Sequence, residues 1–345
     1  MVLCIAILEL HPAACEAADP APAPTPAFLT HDYAIARPGF QLLGRLFVPR
    51  AEGRFPLLVL VQGSDYDDAN SSVYWRLIAN TLAKNGIASF SFNKRGVAGS
   101  GGEQTDNFEI QASDVSAACR FASALPQVSP GKVGMYGISQ AGWIVPRAVQ
   151  TCPVAFVILV SPAGIAPADQ VDYYLQKQFA DVGLTTAEAA QALATHRAVA
   201  RYFRTGTGYE QAQRLVDRAV VSSWYGKYVK VDYREEIPST HKLPSPSALR
   251  AVANDYEFYR DPLTWRADEA VYETLRQPIL FLYGGKDENV PVERSMAVFQ
   301  SVMGAVQNPD VTFHVFERAD HSIQQGQRLL PGYREYLAQW ILAHT

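Results

Sequence analysis

The stretch that decides the fold is KVGMYGISQAGWIVPRAVQ, Lys132 to Gln150. Val133 to Tyr136 reads as a short buried strand, and the residues after the abrupt turn that follows read as a helix. At the turn stands Gly137-Ile138-Ser139-Gln140-Ala141, a small-x-Ser-x-small pattern. A serine on a strained strand-to-helix turn needs neighbours without bulk two residues before and two after, or adjoining backbones collide. That geometry lifts the hydroxyl above a sheet and aims a helix N-terminus at it, a place where developing negative charge is favoured. An ordinary tight turn can carry the same letters, so the rest of the chain has to decide between the two.

Upstream, Tyr33 to Ile35 and Leu42 to Val48 read as an antiparallel pair turned at Pro38-Gly39. LLVLVQG, Leu57 to Gly63, is a continuous apolar run ending in glycine, as a strand buried on both faces would be. A helix follows over Val73 to Lys84, capped by Ser71 or Ser72 and stopped by Asn85-Gly86. Ile87 to Phe92 is the next strand, Ile110 to Leu125 a helix, and Phe156 to Val160 another strand. The alternation resumes with a strand at Ile279 to Tyr283, a helix at Val292 to Met303, a strand at Val311 to Phe316 and a helix at Tyr333 to Ala343. This order predicts an α/β fold, with a mostly parallel central sheet and helices on both faces. Between residues 164 and 276 the strand signal vanishes. Helical segments (Ala187 to Arg204, Glu210 to Trp224) and a high density of aromatics suggest a helical cap inserted into a core of residues 28–163 and 277–345. Collectively the rings suggest an apolar-aromatic pocket over the serine, with Tyr173, Trp224, Tyr256 and Trp265 as wall candidates beside Gln62. Each ring taken singly reads first as core of the cap.

The chain has 345 residues, 30 of them basic, and a net charge of −4. No basic cluster has the density that nucleic acid demands, and no apolar run approaches membrane-spanning length. Residues 1–27 form a leader in which an apolar start and small residues resemble the back half of a secretory signal peptide, although Glu9 interrupts it. It points to a periplasmic or secreted protein; the alternative is a disordered leader on a cytoplasmic one. Cys119 and Cys152 lie beyond the leader and have no metal-ligand spacing; they read as two buried thiols, with pairing open to an exported chain.

A serine hydroxyl needs an adjacent base, itself oriented by an acid. His321 is best placed as base, in the short loop Ala319-Asp320-His321-Ser322 between a strand and the last helix. His314 lies inside that strand, and His196 and His241 fall in the helical insertion. Asp287, just after the apolar ILFLYGG, should emerge at the same sheet edge, with Glu288 and Asp320 as competing acids. Two backbone N–H groups must face the developing oxyanion. Gln140 follows the serine, and Ser64 follows Gly63 in the loop after LLVLVQ. Arg95 reads as a loop tie to Asp65, Asp67 or Asp68, or else as a binder of a substrate carboxylate.

In combination these motifs resemble those of α/β-hydrolase serine hydrolases, close to the dienelactone-hydrolase and prolyl-oligopeptidase-like esterases and peptidases. QGSD (Gln62 to Asp65) stands where such proteins often carry His-Gly-Ser-Gly. NKRGVAGSGG (Asn93 to Gly102) resembles their Asp-x-Arg-Gly-x-Gly-x-Ser loop, and GISQAGW their Gly-x-Ser-Gln-Gly-Gly-Trp elbow. GGKDENVP and ADHSI are similar to their acid and base loops. Gln62 for His and Ala141 for Gly are the departures. The resemblance covers the sheet core and not the helical insertion. It implies two-step acyl transfer with Ser139 as nucleophile, needing no metal or organic cofactor, on a small ester with an apolar or aromatic part. A peptidase or amidase on short peptides, an acyltransferase or thioesterase, and an inactive ligand-binding relative are the alternatives. Oligomeric state is not legible.

Overall fold

The computed structural model describes residues 25–231, 241–251 and 265–345. β1 (Phe28–Arg37) and β2 (Phe40–Pro49) form an antiparallel hairpin, turned at Gly39, whose φ of 80° is one that glycine adopts without strain. Then follow β3 (Phe55–Val61), α1 (Val73–Lys84), β4 (Ala88–Phe92), α2 (Phe108–Ser123), β5 (Val128–Ile138), α3 (Ala141–Ala148) and β6 (Phe156–Val160). Six helical segments separate β6 from β7 among the described residues: α4 (Pro167–Asp181), α5 (Thr186–Thr205), α6 (Tyr209–Val220), α7 (Tyr225–Tyr228), α8 (Pro246–Ala251) and α9 (Trp265–Tyr272). The chain closes with β7 (Ile279–Gly284), α10 (Val292–Ala305), β8 (Val311–Phe316), a short β9–β10 hairpin (Gln324–Gln325 with Arg328–Leu329) and α11 (Tyr333–Ala343).

The large sheet has the order β1-β2-β4-β3-β5-β6-β7-β8. From β4 to β8 every neighbouring pair is parallel, while β2 runs antiparallel to both β1 and β4. After β3 the chain winds one way to β4, then crosses back to place β5 on the other side of β3. At such a reversal the flanking connections leave to opposite faces, opening a crevice at the carboxyl ends of the two strands. Gly63 follows β3 and Ser139 follows β5.

β6 and β7, which have no exposed residue, are apolar almost throughout because helices cover both faces. One face packs on α2, α3, α9 and α10 through residues including Ala112, Val115, Ile144, Tyr272 and Phe299. The other packs on α1 and α11 through Trp75, Ile78, Leu337 and Ile341. Burying each such large side chain contributes about 1.5–3 kcal/mol. α1 starts at a Ser72 cap and stops at Asn85-Gly86. α2 begins two residues earlier than its apolar pattern indicates, because the Asn107 side chain accepts the N–H groups of Glu109 and Ile110. β5 reaches back to Val128, which pairs with Phe55, so sheet pairing outvotes the weak apolar signal of that segment.

Two expectations are corrected. Cys119 and Cys152 are not free thiols: they form a disulfide that ties α2 to the segment after α3. The spacing alone could not show that two separate elements bring them together. Among the described residues of the insertion, Phe179, Tyr202, Phe203, Trp224 and Tyr228 are buried together in its own core and do not form an aromatic pocket over the serine. Among the described residues no helix is long and apolar enough to cross a membrane.

Candidate active site

Ser139 sits at the tip of β5 with φ +55°, a left-handed conformation costly for a residue with a side chain and held only where surroundings enforce it. Its N–H bonds the Val160 carbonyl of β6 at 2.9 Å, and its own carbonyl receives the Gly142 N–H at 2.8 Å. A Cβ on Gly137 would lie 2.8 Å from Val145 Cγ2 and 3.0 Å from Ala141 Cβ. The turn therefore tolerates alanine at 141 because residue 137 has no side chain. α3 runs away from the serine, fully buried, with Pro146 inside it. Proline has no N–H for the Gly142 carbonyl. The Tyr272 hydroxyl of α9 supplies that bond at 2.6 Å, so the helix survives intact.

Asp287 and His321 meet between the ends of β7 and β8. The imidazole Nδ1 lies 2.8 Å from Asp287 Oδ2. Asp287 Oδ1 accepts the N–H groups of Asn289 at 2.8 Å and Val290 at 3.0 Å, which leaves the carboxylate fully buried and fully bonded. The competing acids do other things. Glu288 is exposed, and Asp320 Oδ1 accepts the N–H groups of Ser322 and Gln324, shaping the loop that carries His321. That loop is tied to the elbow's neighbour: Ser161 Oγ, one residue beyond the carbonyl that bonds Ser139, donates to the His321 carbonyl at 2.8 Å. His314 stacks on Tyr336 and meets Phe316 edge-on, its pKa lowered by burial; His196 is buried in α5.

Gly284 makes this contact between acid and base loops possible. A Cβ there would stand 2.0 Å from the Asp320 carbonyl oxygen and 2.5 Å from that of Ala319. Backbone must move to admit it. Gly284→Ala is expected to cost roughly 3 kcal/mol in denaturant unfolding and to lower turnover by separating the two loops. A variant as stable and as active as the parent would contradict this packing.

On the opposite side of Ser139 lies the loop after β3. A Cβ on Gly63 would be 3.1 Å from Ser139 Cβ and 3.7 Å from its hydroxyl, so a side chain here would press on the serine and glycine eases this close approach. Ser64, Asp65, Ser139, Gln140, Trp143, Gln170, Tyr174 and Asn289 are among the residues lining an open cleft of about 240 Å³. Its only ring from the helical insertion, among the described residues, is Tyr174, with Gln170 beside it bonding the Asn289 carbonyl of the acid loop. The cleft is thus more polar than the aromatic count suggested.

The wall candidates fare differently. Tyr173 is partly buried on α4 and carries the Lys177 ammonium over its ring, while its neighbour Tyr174 faces the cleft; a helix places successive residues about 100° apart, and sequence alone could not choose the face. Trp224 is core, its indole N–H donating to Gln191. Gln62 points away from the cleft into a small pocket and donates to the Asp67 carbonyl. Tyr256 lies outside the described residues, and of Trp265 only the backbone, at the start of α9, is described. Arg95 does not tie to Asp65, Asp67 or Asp68: it forms a two-bond pair with Asp114 of α2, at 2.7 and 2.9 Å, and Arg37 joins the same carboxylate at 2.8 Å.

The family model described as X-Pro dipeptidyl-peptidase (S15 family) matches residues 39–322. An esterase of Pyrococcus furiosus has a similar structure, with TM-score 0.56 and 15% identity, over 92% of this chain and 91% of that one. Est1E from Butyrivibrio proteoclasticus gives 0.51 and 18%, over 91% and 98%. Dipeptidyl peptidase 4 of Porphyromonas gingivalis gives 0.51 and 15%, over 92% of this chain but 36% of its own. At such identities the likeness is one of fold. No curated protein matches the sequence significantly.

Proposed function

The chain belongs to the X-Pro dipeptidyl-peptidase (S15) family and has the α/β-hydrolase fold, and on that premise we propose that it is a serine hydrolase cleaving carboxylic esters through an acyl-enzyme on Ser139. The observation that carries the reading is the buried Asp287–His321 pair on a loop bonded to the elbow's own strand neighbour. In this mechanism Asp287 holds Nδ1 protonated, so that Nε2 is the nitrogen able to take the Ser139 proton. The hydroxyl oxygen attacks the acyl carbon, and the carbonyl oxygen becomes an anion held by the N–H groups of Ser64 and Gln140. The imidazolium returns its proton to the leaving alcohol. Water, deprotonated by His321, then releases the acid and restores the serine.

Residues 164–276 act as a cap over this site, a role supported by Gln170 and Tyr174 lining the cleft beside Ser139. A periplasmic or secreted location is supported by the Cys119–Cys152 disulfide, since such bonds persist in oxidising compartments.

Ester cleavage is supported by the likeness of fold, over nine tenths of both chains, to an esterase. The second reading, a peptidase on short peptides, is favoured by the family's description. A panel of 4-nitrophenyl esters, matched anilides and an X-Pro anilide separates them. Higher kcat/KM on the esters is expected; an X-Pro anilide turned over faster than its matched ester would move the assignment to peptidase.

A further inference from the structure

The loop beside Ser139 rests on a buried cation that the mechanism above leaves unused. Lys94, two residues beyond β4, is 9% exposed and donates from Nζ to the carbonyl oxygen of Gly63. The same ammonium stands 4.8 Å from the centre of the Tyr66 ring. It lines, with Gln62, Tyr66 and Arg95, a small pocket distinct from the cleft that Ser64, Ser139 and Gln140 line.

The Gly63 carbonyl and the Ser64 N–H are two ends of one peptide group. No peptide bond among the described residues is cis, so the two point in opposite directions. Whatever holds the oxygen on the interior side therefore sets the direction of the N–H. We propose that Lys94 is a positioning residue for the oxyanion hole: by fixing the Gly63 carbonyl inward it turns the Ser64 N–H toward the acyl oxygen on Ser139. The inference rests on the serine-hydrolase reading and extends it. A glycine at 63 can rotate freely, and this is the price of its close approach to the serine. A charge-assisted bond from a buried donor removes that freedom, and is about twice as strong as a neutral one.

The other charged and titratable groups around the ammonium are Asp65 and Asp106, Tyr66, whose hydroxyl donates to Asp106 at 2.8 Å, and the Arg95–Asp114 pair. Burial lowers the Lys94 pKa from 10.5 to about 8, with Asp106 and Asp65 opposing the shift. The charged form is thus present below that pH and is lost above it. Turnover should fall as pH rises through about 8, because the neutral amine grips the carbonyl less firmly.

The test is steady-state kinetics on a 4-nitrophenyl ester with the parent, Lys94→Met, Lys94→Arg and Ser139→Ala. Loss of a direct oxyanion donor costs about 10²–10³ in kcat, so loss of the group that aims one should cost about 10- to 100-fold. The Met variant should show that fall in kcat with KM within about twofold, the same slowing of fluorophosphonate labelling, and no alkaline limb. Lys94→Arg should recover part of the rate. A folded Lys94→Met protein with parental kcat and pH profile, beside an inactive Ser139→Ala, overturns the role of Lys94 alone. Turnover retained by Ser139→Ala overturns the reading beneath it. Should Lys94→Met not fold, a parental kcat that stays flat between pH 7 and 9.5 overturns the proposal equally.

Discussion

Ser139→Ala is expected to lower kcat on an ester substrate by about 10⁴- to 10⁶-fold, measured with the protein's circular dichroism and melting temperature unchanged within a few degrees. The size follows from the proposed mechanism: without the hydroxyl no acyl-enzyme would form, and the remaining catalysis would come from the oxyanion donors and from binding. Stability should hardly move. The φ of +55° at this position is already imposed on a residue with a Cβ, and it is sustained by the bonds of its N–H to Val160 and of its carbonyl to Gly142. Alanine retains the Cβ and both backbone bonds. A variant that keeps a tenth of parental turnover would show that the chemistry takes place on another residue.

Asp287→Asn should cost about 10⁴-fold in kcat, whereas Asp320→Asn should cost less than about tenfold. The two substitutions are chemically identical and sit on loops that touch, so the contrast isolates the role of each carboxylate. At 287 the amide oxygen can still accept the N–H groups of Asn289 and Val290, which preserves the loop. Its nitrogen then faces His321 Nδ1, favouring the tautomer that leaves Nε2 protonated and unable to accept from the serine. At 320 the side-chain oxygen still serves Ser322 and Gln324, so the turn that presents His321 stays in shape. Equal losses at both positions would contradict the assignment of Asp287 as the acid.

The middle of the sheet was readable because its central strands are buried on both faces: uninterrupted apolar runs such as Phe156 to Val160 have few alternatives. The elbow was readable for a steric reason, since the small residues at 137 and 141 are demanded by contacts within one turn of chain. That Asp287 and His321 would meet could be expected from their positions after strand ends, a rule of topology and not of sequence distance. What escaped was decided by packing between elements. Arg95 found Asp114, on a helix whose face the local sequence does not fix, ahead of the three aspartates in the loop after β3. The disulfide depends on where α2 ends relative to α3. Tyr174 faces the cleft and Trp224 the core, although both are aromatics in the same helical block. Lys94 belongs to a recognisable loop, yet its bond to Gly63 appears only once β3 and β4 lie side by side. Helix periodicity and composition carry none of these partner choices.

In the proposed mechanism one serine, on the turn after β5, is made nucleophilic by the His321–Asp287 pair. This is tested most directly by treating the folded protein with a fluorophosphonate and locating the adduct by peptide mass mapping. One adduct per chain is expected, on Ser139, formed far more slowly in His321→Ala. A folded protein that takes no adduct, or takes it on a different residue, would contradict the mechanism.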